Sequence, residues 1–260
     1  MSVNEIIDII ESVVPLQWQE EWDNSGLQVG NRNAEVESVL LTTDITESVV
    51  REAIEAGCQL IISHHPLLFH GLKQVCGQNP QARCVELAIR HDIAIYSSHT
   101  AMDSWLHGVS GRMAEKLGIR NYRLLDSDAA PEGEGHGLGV IGELPEAMPL
   151  ADFLQHVQSA FGAPVLRYVT GATETVRAVA LCGGAGAEFA EEAIRQGADA
   201  FITADVKYHT FLDASGRINL IDMDHWVSEH FTRDIFRELL DGKVKTVISK
   251  TDCSPVRIHR

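Results

Sequence analysis

The chain has 260 residues, 37 acidic against 21 basic side chains for a formal charge of −16, with 45% apolar and 22% charged residues. That length and apolar content suffice for one large α/β domain or two modest ones and exclude wholesale disorder. The acidic balance excludes duplex nucleic acid as a principal partner, since phosphate binding wants a basic face, and the longest apolar runs, QLIIS and INLI, fall far short of the ~20 residues that span a bilayer.

The N-terminal segment MSVNEIIDIIES has acidic residues among its apolar ones and no basic leader region, so it reads as an amphipathic helix rather than a signal peptide, with the cytoplasm as the expected location. Cys58, Cys76, Cys84, Cys182 and Cys253 are odd in number and form no CxxC pair, which reads as thiols in a reducing compartment. Trp22-Asp23-Asn24 reads as a packed turn.

Residues 39–65 (VLLTTDITESVVREAIEAGCQLIISHH) match residues 179–205 (VALCGGAGAEFAEEAIRQGADAFITAD) at an offset of 140. Both read as an apolar strand, a turn, a helix containing EAI and a second apolar strand. Gly57 and Gly197 fall where each helix needs a left-handed C-terminal residue. The match resumes at an offset of 126, where IAIYSSHTAMD (93–103) aligns with NLIDMDHWVSE (219–229) and sets His99 opposite His225 and Asp103 opposite Glu229. The expected fold is α/β, built from two similar, pseudo-duplicated units that each contain a βαβ motif. The Gly-, Asp- and Pro-rich stretch 126–137 places a boundary near residue 130, giving a first unit over 1–130 and a second over 131–260. MPLADFLQHVQSAFG (148–162) has helical spacing, and a final helix around SEHFTRDIFRELLDG, stopped at Gly242, is expected to pack back on the first unit.

Chemistry-bearing residues recur just beyond three apolar strands: His64-His65-Pro66 after LIIS, His99 and Asp103 after IAIYSS, and His225 and Glu229 after INLID. Side chains at such strand ends line the ligand crevice of α/β sheets. Neighbours within a strand face opposite sides, so His64 and His65 converge only where the strand has ended, and Pro66 fits that end. His225 and Glu229, four apart, share one face of a helix. A lone strand-end histidine is ordinarily a hydrogen-bonded structural residue, and His91, His107, His136, His156, His230 and His259 are read so. Recurrence of imidazole and carboxylate at three ends argues for more. This donor set suits Zn, Mn, Fe, Co or Ni, and its five or six members are too many for one open tetrahedral ion. CGGAGAEF (182–189) joins strand to helix and reads as a tight turn, with phosphate binding as the lesser alternative because the P-loop lysine is missing.

The blocks WDNSGLQVG (22–30), LIISHHPLLF (60–69), SSHTAMD (97–103), GELPEAMPL (142–150), ITADVKYH (202–209) and DHWVSE (224–229) resemble the Nif-three-like dinuclear metal-centre proteins, the GTP cyclohydrolase I type 2 homologues, in their short form. The resemblance implies two divalent metal ions held by His64, His65, Asp103, His225 and Glu229, with Glu229 as bridge, and a homohexamer. It makes His99 a group beside the ligands, facing substrate or sharing proton transfer with Glu229, with direct ligation as the lesser alternative. Asp205, Lys207 and His209 follow the second copy's strand where the first copy has His65, and from that position Lys207 and His209 are read as substrate-facing, Lys207 offsetting substrate charge. The implied activity is hydrolysis through metal-activated water, with GTP or another small molecule as substrate; a non-enzymatic metal-binding or scaffold role is the alternative. Ala204 and Asp224 stand where that family carries glycine, and Asp224 is positioned to N-cap the helix that follows.

Overall fold

A computed structural model describes residues 1–77, 79–126 and 135–259. The boundary expected near residue 130 lies outside the described residues. Contacts divide the chain into two discontinuous compact units: Met1–Met102 with His230–Cys253, and Asp103–Glu229 with the C-terminal residues from Ser254 onward. The first unit's N-terminal part ends at Met102 rather than near 130, so Asp103, expected in the first unit, falls in the second, while the return at His230 takes in the final helix expected to pack back.

The first unit begins with α1 (Val3–Glu11), where Ser2 and Glu5 form a reciprocal capping box and Ile6, Ile7 and Ile10 are buried. It continues through β1 (Gly26–Val29), β2 (Ser38–Thr42), α2 (Glu47–Glu55), β3 (Leu60–Ser63), α3 (Pro80–Arg90) and β4 (Ala94–Ser97), with α4 (Thr100–Ser104) at its exit. The second unit carries α5 (Val109–Lys116), β5 (Tyr122–Leu124), β6 (Val140–Pro149), α6 (Leu150–Phe161), β7 (Leu166–Val169), β8 (Thr175–Leu181), α7 (Ala190–Arg195), β9 (Ala200–Thr203), α8 (Tyr208–Ala214), β10 (Asn219–Met223) and α9 (His225–Glu229). The chain then re-enters the first unit with α10 (Thr232–Leu239) and β11 (Lys245–Ile248).

Each unit is built on one sheet. The first has the order β1-β4-β3-β2-β11, in which β4, β3, β2 and β11 run parallel and β1 is antiparallel at the edge. The second has the order β5-β6-β8-β9-β10-β7, with β8, β9 and β10 parallel and an antiparallel β7 beside β10. The parallel triplets β2-β3-β4 and β8-β9-β10 are consistent with the repeat, and Gly57 and Gly197 have the positive φ expected of them, +65° and +79°. Strands buried on both faces read as continuous apolar runs, as LLT, LIIS and AFIT do. The core of the first unit gathers Leu40, Val49, Ile61, Cys84 and Ile95; that of the second gathers Ala180, Ala193, Phe201 and Leu220.

α6 ends at Gly162 in the left-handed conformation, as its sequence requires. The expected final helix is instead two, α9 and α10, separated at His230-Phe231. The return matters to the first sheet, because β11 covers the β2 edge that would otherwise present unpaired backbone. It is locked there by Glu52 of α2, whose carboxylate accepts the Ser249 and Thr251 hydroxyls at 2.6 and 2.7 Å and the Lys250 and Thr251 amides at 2.8 and 3.1 Å. Burial tends to raise the Glu52 carboxyl, but these donors outweigh it and hold it below the usual value of 4.5. A folded-state value below the unfolded one means stability present above the unfolded value and lost as pH falls through the folded one. Glu52→Gln should therefore lower Tm at pH 7, and the gap from wild type should close as the pH of the melt is taken well below 4.5; a gap that persists unchanged in acid would contradict the anchor.

All five cysteines are thiols, with Cys58, Cys84 and Cys182 buried and Cys76 and Cys253 exposed. Burial pushes Cys84 up to about 11 and Cys182 well above the ordinary thiol value, so neither supplies a thiolate at neutral pH. A thiol-reactive disulfide reagent should modify Cys76 and Cys253 quickly and the other three only on unfolding, which mass spectrometry of the labelled peptides would show. Among the described residues no helix is long and apolar enough to cross a membrane.

Candidate metal centre

Register explains how distant residues of the first unit reach one place. Thr42, Ser63 and Ser97 lie level across β2, β3 and β4, and Ser63 and Ser97 join hydroxyls at 2.7 Å. The three strands are parallel, so the residues after them emerge on one edge: Asp44, His64-His65 and His99. β3 ends at Ser63, which frees the two histidines from alternation as Pro66 led us to expect. Their rings stand 4.9 Å apart, and each lies 5.3 Å from the ring of His99. One ligand nitrogen from each of His64, His65 and His99 can be chosen so that all three fall within 4.8 Å of one another, a group that could hold a metal ion.

The orientation of the rings is fixed from behind. His64 Nδ1 donates to the Ser98 carbonyl at 3.1 Å, His65 Nδ1 to Asp44 at 2.8 Å and His99 Nδ1 to Asp23 at 2.9 Å. With Nδ1 carrying the proton, Nε2 is the nitrogen that could face an ion in each ring, which is how histidine ligands are generally prepared. Asp23 is itself held firmly. Its carboxylate also accepts the Thr100 amide at 3.1 Å and hydroxyl at 2.7 Å, the Ser25 hydroxyl at 2.8 Å and the Asn24 amide at 2.7 Å. Burial would raise its carboxyl, yet His99, Thr100 and Ser25 hold it far below the carboxylate range.

The second unit repeats the device on β8, β9 and β10, where Thr203 and Asp222 lie level at the ends of β9 and β10. Beyond them come Asp205 and His225. Asp205 sits at φ +54°, a conformation uncommon outside glycine, and accepts His225 Nδ1 at 2.7 Å. His225 Nε2 meets the Glu229 carboxylate at 3.0 Å, the i, i+4 pair of α9 that the spacing led us to expect. Asp224 accepts the Val227 amide at 3.2 Å and so caps α9, as read from the sequence. Glu229 is 2% exposed. Asp103 lies on α4, in this unit, just after His99.

The glycine-rich turn after β8 has its amides committed. Gly183, Gly184 and Gly186 donate to the hydroxyls of Ser110, Ser228 and Thr203 at 3.3, 3.0 and 2.9 Å. It is the structural turn rather than a phosphate cradle, and it has a task. Gly184, at φ +61°, lies so close to the Glu229 carboxylate that a Cβ there would overlap Oε1 and come within 3.3 Å of His225 Nε2. Lys207 immediately precedes α8 and lines a cavity of about 600 Å³ with Glu188, Glu191, Asp205 and Asp213. His209, on α8, is exposed with its ring against Tyr208. His107 and His156 spend a nitrogen on Tyr122 and on the Leu117 carbonyl, in keeping with their structural reading.

Sequence reasoning passed over four residues: Asp23, Asp44, Asp205 and Gly184. A signal existed for three of them. At the offset of 140, Asp44, which holds His65, falls opposite Gly184, which adjoins Glu229, and Asp205 falls opposite His65, so both copies place site residues at the same strand ends.

Sheets of this topology, with imidazole and carboxylate at the ends of parallel strands, define an α/β protein with groups that could hold metal ions. The donor set is free of thiolate and fits a borderline divalent cation such as Zn or Mn. Comparison makes the class specific: the chain belongs to the Duf34/NIF3 (NGG1p interacting factor 3) family, whose model matches residues 1–255. It is 34% identical over 98% of both chains to a GTP cyclohydrolase 1 type 2 homolog of Clostridium perfringens. It is also similar to the crystal structure of a Bacillus cereus protein related to NIF3, with TM-score 0.90 and 26% identity over 100% of this chain and 99% of that one. A Staphylococcus aureus crystal structure matches with TM-score 0.89 and 28% identity over the same shares.

Proposed function

We propose that His64, His65, Asp103, His225 and Glu229 hold two divalent metal ions and that the protein is a metal-dependent hydrolase. The observation that carries this reading is the set of imidazoles turned Nε2-outward by acceptors on Nδ1, which a merely structural histidine does not need. Bound ions of this kind lower the pKa of water and stabilise developing negative charge. The chain's own residues do the rest. Glu229, buried and fixed by α9 and Gly184, would hold the ions as a shared carboxylate, or, where one oxygen is released, would accept a proton. His99, kept in one tautomer by Asp23, moves a proton at Nε2. Lys207 and His209 meet the substrate.

The C. perfringens relative is named a homolog of GTP cyclohydrolase 1 type 2, and for this chain we propose GTP or another small molecule as substrate, acted on in the cytoplasm by a hexamer. One observation favours the second reading, a metal-holding protein without turnover: the cavity beside Asp205 has four carboxylates to one lysine, a poor reception for a triphosphate. The two separate in one assay. Protein loaded with Mn, Zn or Fe is offered GTP, phosphoesters and cyclic amides, with Glu229→Gln as control. The hydrolase reading expects turnover of at least one class, reduced roughly 100-fold or more when the substitution removes Glu229 as ligand and proton acceptor; turnover indifferent to it would remove this mechanism, and none with any metal would leave the binding role.

A further inference from the structure

We propose that Trp22 and Phe69 form a platform on which a planar heteroaromatic ring of the ligand stacks beside the imidazole cluster. The inference rests on the reading of that cluster as the reactive centre. Trp22 is 59% exposed and Phe69 38% exposed, and the two adjoin, so they form one contiguous aromatic patch open to a ligand rather than scattered apolar side chains. Neither ring hangs on a loose loop. Trp22 precedes Asp23, whose carboxylate gathers His99, Thr100, Ser25 and the Asn24 amide. Asn24 Nδ2 donates to the Leu68 carbonyl at 2.7 Å, and the Leu68 amide donates to Gln28 at 2.9 Å, so the turn bearing Trp22 and the loop bearing Phe69 are tied together.

The rings lie 5.9 Å apart with their planes inclined at 58°, so a flat ring stacked on one meets the other edge-on, and both meet His99 nearly edge-on, at 6.1 Å from Trp22 and 6.2 Å from Phe69. His64 and His65 follow at 5.3 Å from His99. A continuous run of rings therefore leads from solvent to the candidate ligands. A group laid on the outer two is carried to within reach of the inner three. The size of the patch selects the occupant. Side chains of this kind offer 150–250 Å² each, so at these exposures roughly 200 Å² remains to water. A stable protein interface takes about 800 Å² from each partner, several times more than two rings supply. A flat heterocycle matches the area, and its π-face is what tryptophan and phenylalanine recognise without hydrogen bonds.

The test uses the full chain loaded with Mn and titrated with guanosine, with ribose 5-phosphate as the ring-free control, followed by calorimetry and tryptophan fluorescence. Guanosine should bind and quench fluorescence, with the quench lost in Trp22→Phe but the affinity largely kept. Trp22→Ala, and Phe69→Ala in the same direction, should weaken guanosine by roughly 5- to 150-fold, the span of a lost base–aromatic stack. Metal content, measured on the same samples, should stay at the wild-type value. Guanosine that fails to bind, binds Trp22→Ala as well as wild type, or loses no more than ribose 5-phosphate does would overturn the platform. Wild-type protein that retains no metal would count against the metal reading alone, since the guanosine comparison is then read on the metal-free chain.

Discussion

Gly184→Ala should cost the protein one of the two proposed ions while leaving it folded. The added methyl enters the space of Glu229 Oε1, and the backbone at φ +61° is strained for alanine by about 1–2 kcal/mol. The turn has little room to yield, because the Gly184 amide is held by Ser228, its carbonyl by the Ala204 amide at 2.8 Å and the Thr203 hydroxyl at 3.0 Å. The carboxylate must move instead, and ligand groups tolerate displacement of only about 0.5 Å. Elemental analysis should find near one ion per chain, with a Tm lowered by several degrees. Shortening the carboxylate relieves the overlap, so Gly184→Ala combined with Glu229→Asp should recover part of the second ion. Full metal content in the single variant would show that Gly184 does not seat Glu229.

Asp23→Ala should be the most destabilising single change at the site. It removes the charged acceptor of five hydrogen bonds and leaves buried hydroxyls, two amides and the His99 ring to find others. Breaking a buried network of this kind costs about 3–5 kcal/mol. For a chain of this size Tm falls about 2–4 °C per kcal/mol, so a drop of roughly 6–20 °C is expected in calorimetry. Asp23→Asn keeps the shape and part of the acceptor capacity and should fall between. A Tm within a degree or two of wild type for the alanine variant would mean that the turn is held by other contacts.

Much of this architecture was written in the sequence where local signals agreed. Ser2 and Glu5 announce α1, Gly57 and Gly197 close the two repeat helices, and apolar runs ending in histidine mark parallel strands whose residues beyond the ends share an edge. The spacing of His225 and Glu229 gave their pairing on α9 directly. The compact units were not legible in the same way. The return of the final helix to the first unit was expected, but nothing local tells that a strand follows it into the first sheet; that depends on β11 finding the β2 edge and on Glu52 finding residues 249–251, contacts nearly 200 positions apart. The supporting carboxylates were missed for a related reason. Asp23 and Asp205 look like ordinary turn residues, and only the fold brings them against the Nδ1 atoms of His99 and His225. Gly184 was visible as part of a turn, whereas its contact with a carboxylate 45 residues away was not.

Anomalous diffraction from crystals of the metal-loaded protein, recorded at the absorption edge of the added ion, addresses the central claim most directly. Two peaks per chain are predicted, each about 2.0–2.2 Å from its ligands, drawn from Nε2 of His64, His65 and His225 and the carboxylates of Asp103 and Glu229. A single peak at full loading, or peaks remote from these five side chains, would contradict it.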